Sequence, residues 1–183
     1  TGALSGTVAD IKAALAGNVT EHTGTITISD DATTDVTATD ITTINTASTG
    51  TITVSNAIDI NGSGSEVAAA FTAIDTNTGN ATANITGNDY TAAQLKTIND
   101  ATTGAIVLAN AGVNLSGTSS VLAAAFDGTV TEHTGTVTIT NDDYTATQLK
   151  TINAATTGAI TLNDATGALS GTVADIKAAL AGN

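Results

Sequence analysis

Residues 155–162 read ATTGAITL, and variants of this stretch return along the chain. Residues 101–108 read ATTGAIVL, and residues 47–54 read ASTGTITV. Related stretches are HTGTITI at 22–28, HTGTVTI at 133–139 and the more divergent NTGNATANI at 77–85. Polar and apolar residues alternate after the glycine in most copies, which is typical of a β-strand with one buried face. The sequence therefore predicts six related strands around which the chain is organised.

Longer repeats surround these strands. Residues 1–18 (TGALSGTVADIKAALAGN) are identical to residues 166–183, and residues 90–99 match residues 144–153 at all but one position. The pattern predicts a single repeat array over residues 1–183, made of about three units of 54–57 residues with two half-units each. Because both ends carry the same internal segment and neither carries a distinct capping repeat, we expect a slice of a longer array, or copies that join end to end.

Short helices are predicted before the strands. Thr145 and Gln148 stand three residues apart at the start of an apolar pattern, which is the spacing of a capping box. The same spacing recurs at Thr7 and Asp10, Thr37 and Asp40, Thr91 and Gln94, and Thr172 and Asp175. Glycine and asparagine tolerate the left-handed conformation that ends many helices. The residues in suitable places are Gly17, Gly128, Gly182, Asn45, Asn99 and Asn153.

One strand and one helix in every ~27 residues require parallel strands, because each connection must return the chain to the same end. We therefore predict an α/β fold, a repeat solenoid of parallel strands linked by short Ala-rich helices, in which each strand pairs with the one a half-unit away. A mainly-β solenoid and a doubly wound α/β domain are the alternatives. A second short strand is expected in the long connections, near residues 57–60 and 113–115.

The composition of the chain limits its partners. The net charge is −13, with four lysines and no arginine, so the surface repels nucleic acid and anionic membranes. The chain has no cysteine, which excludes disulfides and thiolate chemistry. No apolar run approaches 18 residues, so we predict no membrane insertion. With two Tyr and two Phe, the core must be thin and built from small aliphatic side chains.

His22 and His133 occupy the same repeat position, within Thr-Glu-His-Thr. In a single stack they would lie four strands apart, roughly 19 Å, which is too far to share a zinc ion. We predict that each is an exposed polar residue at the entrance of a strand. No GxSxG motif or similar nucleophile constellation is present, so no enzymatic activity is predicted.

The acidic turns are the better candidates for a binding site. Aspartates repeated at one turn could gather oxygen ligands for Ca²⁺, although neither an EF-hand loop nor the glycine-rich calcium repeat of β-rolls is present. The competing interpretation is turn and helix-cap chemistry, which Asp and Asn perform unaided. The candidate calcium ligands are Asp30, Asp31, Asp89, Asp142, Asp143 and Asp164.

The Thr-x-Thr strands allow a further hypothesis. A flat array of outward threonines resembles the ice-binding face of some antifreeze proteins, but Ala105, Val107 and Ala159 interrupt the array here. The competing interpretation is the ordinary preference of threonine for strands.

The segments YTAAQLKTINDATTGAI (90–106) and LSGTVADIKAALAG (4–17) resemble the tandem-repeat regions of giant secreted and cell-surface proteins of cyanobacteria and other aquatic bacteria. The resemblance extends over nearly the whole chain and implies an extracellular location with a structural or adhesive role. We therefore predict a structural module, a spacer or a self-assembling fibre segment whose partners are neighbouring copies, end to end or side by side. The alternative is a binding module for calcium, polysaccharide or ice.

Overall fold

The computed structural model describes residues 2–17 and 21–182. Within these ranges the chain has an α/β fold with seven short helices and eleven short strands. The helices are α1 (Val8–Leu15), α2 (Ala38–Thr46), α3 (Gly64–Ala73), α4 (Ala92–Ala101), α5 (Ser119–Ala125), α6 (Ala146–Ala155) and α7 (Val173–Ala179). The strands are β1 (Leu4–Gly6), β2 (Ile26–Ile28), β3 (Asp35–Thr37), β4 (Ile52–Val54), β5 (Asp59–Gly62), β6 (Thr76–Asn77), β7 (Thr82–Ile85), β8 (Ile106–Leu108), β9 (Leu115–Gly117), β10 (Val137–Ile139) and β11 (Ile160–Leu162).

The helices begin where the hydroxyl residues predict. Thr91 and Thr145 form complete capping boxes with Gln94 and Gln148, and a third box that the repeat pattern did not reveal joins Ser63 to Glu66. In the two identical segments, Thr7 and Thr172 accept from the amides of Asp10 and Asp175. Thr37 precedes α2 but makes no capping bond through its side chain. Local hydrogen bonding therefore sets most of the helix starts.

The predicted helix ends are correct at two glycines and wrong at the asparagines. Gly17 and Gly128 have φ angles of 85° and 103°, whereas Gly182 is not in the left-handed region. The helices that carry Asn45, Asn99 and Asn153 continue one or two residues beyond them. The amides of Asn99 and Asn153 instead donate to the carbonyls of Ala124 (2.8 Å) and Ala178 (2.9 Å) in the next helix. These two asparagines join helices; they do not end them.

The strands of the described residues form three parallel sheets, in the orders β1-β2-β4-β6, β3-β5-β7-β8 and β9-β10-β11. Each strand pairs with one that lies a similar distance along the chain, as in Leu4 with Ile26 and Ile26 with Ile52. All six strands predicted from the repeats are present, but not as one ladder. β4 pairs with β6 rather than with β7, because the connections carry strands of their own. The additional strands predicted in the two long connections are confirmed as β5 and β9.

Each sheet buries one face beneath aliphatic side chains, as the alternation predicts. Ile26, Ile28, Ile52 and Val54 are all fully buried. Ile160 and Leu162 are only half-buried, because β11 lies at the edge of its sheet. Aliphatic and aromatic residues of the helices complete the core, including Ile11, Ile41, Val67, Phe71, Leu95, Leu122 and Leu149.

The helices pack in chain order, each against the next, from α1 to α7. Ion pairs join two neighbouring pairs of helices. Lys12 of α1 pairs with Asp40 of α2, and Lys150 of α6 pairs with Asp175 of α7 at 2.9 Å. Both pairs are partly exposed, so each contributes little stability.

Candidate functional site: the polar corners and turns

A hydroxyl residue followed two positions later by glycine forms the corner after α2, α4 and α6. Thr156 Oγ1 donates to the carbonyl of His133 (3.0 Å) and accepts from the amide of Gly158 (2.9 Å). Ser48 makes the same two bonds, to the His22 carbonyl and from the Gly50 amide. The third corner is built by Thr102, which donates to Ala81 and accepts from Gly104. Each corner is therefore hydrogen-bonded to the preceding segment of the chain.

The glycine of each corner is required by space. A Cβ atom added to Gly50 would lie 1.7 Å from the carbonyl oxygen of Gly24, and one added to Gly158 would lie 1.7 Å from that of Gly135. Neither residue has a positive φ angle, so the close approach of two main chains explains the glycine. The same holds for the other glycines that precede the six predicted strands, where the Cβ would lie 2.1–2.4 Å from backbone: Gly24, Gly79, Gly104 and Gly135.

His133 is fully buried, so its prediction as an exposed residue is wrong. Its Nε2 lies 2.7 Å from the carbonyl oxygen of Val113, and its Nδ1 lies 3.1 Å from Thr156 Oγ1. The ring also packs on Phe126, with the ring centroids 5.5 Å apart. Nε2 of the neutral imidazole donates to the Val113 carbonyl, so the ring is bonded to the preceding segment of the chain and lies against the corner hydroxyl of the following one. Its partners come from distant parts of the chain, which is why the local sequence carries no signal of burial.

His22 repeats this arrangement in a more open place. Its Nε2 lies 3.0 Å from the carbonyl oxygen of Gly2, and its Nδ1 lies 3.3 Å from Ser48 Oγ. The residue is half-buried, and among the described residues no aromatic ring packs on it as Phe126 packs on His133. Both histidines therefore act as hydrogen-bonded joints between neighbouring segments.

Burial lowers the pKa of His133, and the hydrogen bond to Val113 opposes that effect only in part. We expect the free energy of unfolding to fall as the pH drops below about 6.5, because the unfolded chain then binds a proton that the folded chain resists. Thermal unfolding at about pH 7.5 and about pH 5.5 measures this change. His133→Gln should flatten the pH dependence. An equal slope in the wild type and in His133→Gln would contradict the assignment.

Asp30, the first of the predicted calcium ligands, caps a helix. Its carboxylate accepts the amide of Val8, the first residue of α1, at 2.8 Å, and only 8% of the residue is exposed. Asn141 occupies the corresponding place for α5, accepting the amide of Ser119 at 2.6 Å. An acidic or amide side chain at a helix N-terminus satisfies a free amide and complements the helix dipole. In both cases the cap reaches its helix from the next segment of the chain.

The other predicted calcium ligands lie in the segments that follow β2, β7, β10 and β11, and Asp142 and Asp143 share one of these. Asp164 accepts the hydroxyl (2.6 Å) and the amide (2.8 Å) of Thr166, which lower the pKa of its carboxyl. Asp143 accepts from the side-chain amide of Asn141. The remaining three residues are exposed turn residues: Asp31, Asp89 and Asp142. Across residues 2–17 and 21–182, no group of three or more histidine or carboxylate side chains converges in a way that could hold a metal ion.

Two rows of hydroxyl side chains cross the outer faces of the sheets. Ser5, Thr27, Thr53 and Thr76 are in register on β1, β2, β4 and β6, and we call them the hydroxyl row. A shorter row on β9, β10 and β11 consists of Ser116, Thr138 and Thr161. The third sheet carries no such row, since its outward register reads Thr37, Asn61, Asn84 and Val107. The outward threonines are thus grouped by sheet.

Comparison with known proteins adds no relative: no family model matches the sequence, and no curated protein or solved structure is significantly similar to it. Among the helices of the described ranges, none combines the length and the apolar character needed to span a bilayer.

Proposed function

We propose that this chain is a structural repeat module, a solenoid segment that serves as a spacer or as a self-assembling fibre segment of an extracellular or cell-surface protein. The observation that carries the proposal is the near-constant offset of the parallel pairing. In all three sheets a strand pairs with one about a half-unit away along the chain, as in Leu4 with Ile26 and Val137 with Ile160. A chain in which each short segment pairs with the next in this way extends along one axis as segments are added.

The polar residues support a structural role for the same reason. Thr156 and His133 connect the main chains of successive segments. Asp30 and Asn99 likewise use their side chains to bond a neighbouring helix. These side chains use their polar atoms in hydrogen bonds that hold the array together. The acidic surface keeps such an array hydrated and soluble, and the resemblance to bacterial surface repeats supports an extracellular location.

A two-array fusion tests the proposal. Residues 1–165 joined to residues 1–183 preserve the offset between the identical end segments, so a solenoid should continue through the junction without a break. We expect the maximum dimension from small-angle X-ray scattering to about double relative to the single chain, with one continuous rod in electron micrographs. Two compact bodies joined by a flexible hinge would contradict the solenoid.

The alternative, a binding module, rests on the hydroxyl row and on the acidic turns. Four hydroxyl residues in register, at the strand spacing of ~4.8 Å, form a regular polar surface of the kind that could order water or contact polysaccharide. Ice recrystallisation in the presence of the wild type and of Thr53→Tyr tests the hydroxyl row, and only a wild-type effect that Thr53→Tyr removes would favour ice binding.

Thermal unfolding with Ca²⁺ and with EDTA tests the acidic turns, where no shift in Tm would count against a calcium-dependent array.

A further inference from the structure

One sequence occurs twice in this chain and lies in two different environments. Residues 1–18 and 166–183 are identical, so α1 and α7 present the same side chains. In α1, Val8 and Ile11 are only 4% and 1% exposed, whereas in α7 the equivalent of Val8, Val173, is 85% exposed. Leu15 and its equivalent Leu180 differ in the same direction, at 9% and 64%. The difference must come from what covers each copy.

Residues 21–47 pack against α1 and β1, and we call these residues the acceptor face. β2 pairs with β1 through Leu4 and Ile26, and α2 packs against α1. The Asp30 carboxylate caps the first amide of α1, and Asp40 pairs with Lys12. On the opposite side of α1, Ala13 and Ala14 are exposed. The first copy of the segment is thus covered on the side that faces the following residues.

The second copy is covered on the other side. Asn153 of α6 donates to the carbonyls of Ala178 (2.9 Å) and Ala181 (2.7 Å), and Lys150 pairs with Asp175. Ala178, the equivalent of Ala13, is half-buried. Residues 169–171 repeat the Leu-Ser-Gly of β1 but form no strand, because nothing of the described chain lies beside them as β2 lies beside β1. The first copy therefore packs only against residues that follow it in the chain, and the second only against residues that precede it.

We propose, resting on the proposed function, that residues 166–182 of one chain dock on the acceptor face of a second copy, in place of residues 2–17 of that copy. The sequence that docks is the one that the acceptor face already holds, so the apolar contacts, the strand pairing and the helix cap are reproduced. The docked segment is then covered on both sides, by α6 of its own chain and by the acceptor face of the other. The resulting contact is head-to-tail and can repeat without closing, which builds a filament.

Residues 2–17 thereby act as a plug. They compete from within the same chain, where a tethered segment has an effective concentration on the order of millimolar. The plugged wild-type chain should therefore associate weakly and slowly at micromolar concentration. Opening the acceptor face should promote association, and damaging α7 should prevent it.

The identical sequences provide matched variants of the full chain. Ile11→Asp places a carboxylate in the plug and leaves α7 unchanged, whereas Ile176→Asp makes the same change in the docking segment. We expect Ile11→Asp to increase the weight-average mass in light scattering about twofold or more, and we expect Ile176→Asp and the double variant to remain monomeric. A peptide with the sequence of residues 166–183 should bind the double variant, and the peptide that carries the same Ile→Asp change should not.

Three outcomes would overturn the proposal. The first is an Ile11→Asp chain that stays monomeric, or a double variant that leaves the peptide of residues 166–183 unbound. The second is association that persists in the double variant, which would indicate nonspecific aggregation of the damaged chain. The third is association of Ile176→Asp alone. If circular dichroism finds that Ile11→Asp loses more than one helix, Leu15→Asn is a milder substitution that should still release residues 2–17 from the acceptor face. Leu180→Asn is then the matched substitution in the docking segment. The rod shape of the two-array fusion is independent of all these variants, so the docking can fail while the solenoid stands.

Discussion

Replacing Gly50 by alanine is expected to destabilise the chain by about 3 kcal/mol or more, the upper range for overpacking a well-filled interior. The added methyl group would lie 1.7 Å from the carbonyl oxygen of Gly24 and 2.6 Å from its carbonyl carbon. Neither atom belongs to a side chain that could rotate away, so relief requires that two hydrogen-bonded segments move apart. That movement would break the bonds that Ser48 makes to the His22 carbonyl and from the Gly50 amide.

Urea unfolding followed by circular dichroism measures the loss, as a lower midpoint for Gly50→Ala. Gly117→Ala is the matched control, because a Cβ there meets its nearest atoms at 3.6–3.8 Å, an ordinary van der Waals contact. The control should change the free energy of unfolding by less than about 1 kcal/mol, since the reduced entropy of the unfolded chain favours the folded state. Equal midpoints for the two variants would mean that the corners do not approach as closely as described.

The positions of the corner glycines follow from the sequence repeat, although the close approach of main chains that requires them does not. Six glycines recur before the six strands, and all six are places where a Cβ would meet main chain at 2.4 Å or less. Four of the five predicted capping residues are confirmed, and Thr37 is the exception. In each case the signal is local, since a cap spans three residues and a strand repeats every second residue.

The features that the sequence failed to predict depend on distant partners. His133 is buried because Val113 and Thr156 are both within hydrogen-bond distance of its ring, and neither residue is adjacent to it in sequence. Asn99 resembles a helix terminator locally, and only the position of α5 gives it another role. β3 alternates, but its three residues are too few for the pattern to mark a strand, so it becomes a strand only where β5 lies beside it. The division into three sheets follows from such short segments.

Ile106→Asp is expected to abolish most of the cooperative unfolding transition of the chain. Ile106 is 1% exposed and lies in β8 between Ala83 of β7 and the bridge at Val130. Removing a buried isoleucine side chain costs roughly 2–5 kcal/mol, and an unpaired buried carboxylate costs several more. The sum is comparable to the whole stability of an ordinary domain, about 5–15 kcal/mol. Thermal melting by circular dichroism should find a largely unfolded chain, or one folded only on one side of β8.

The repeat supplies a control that differs from Ile106 in burial alone. Ile160 occupies the equivalent position in the next unit of the repeat, but it is half-buried in β11 at the edge of its sheet. A carboxylate at residue 160 can reach water, so we expect Ile160→Asp to cost roughly 1–2 kcal/mol, about the transfer free energy of a partly buried aliphatic side chain. Thr161→Ser, on the outward side of the same strand, should be nearly silent. If Ile160→Asp were as damaging as Ile106→Asp, then Ile160 would have to be buried in solution. The second copy of this chain that is proposed to bury α7 would be the most direct explanation.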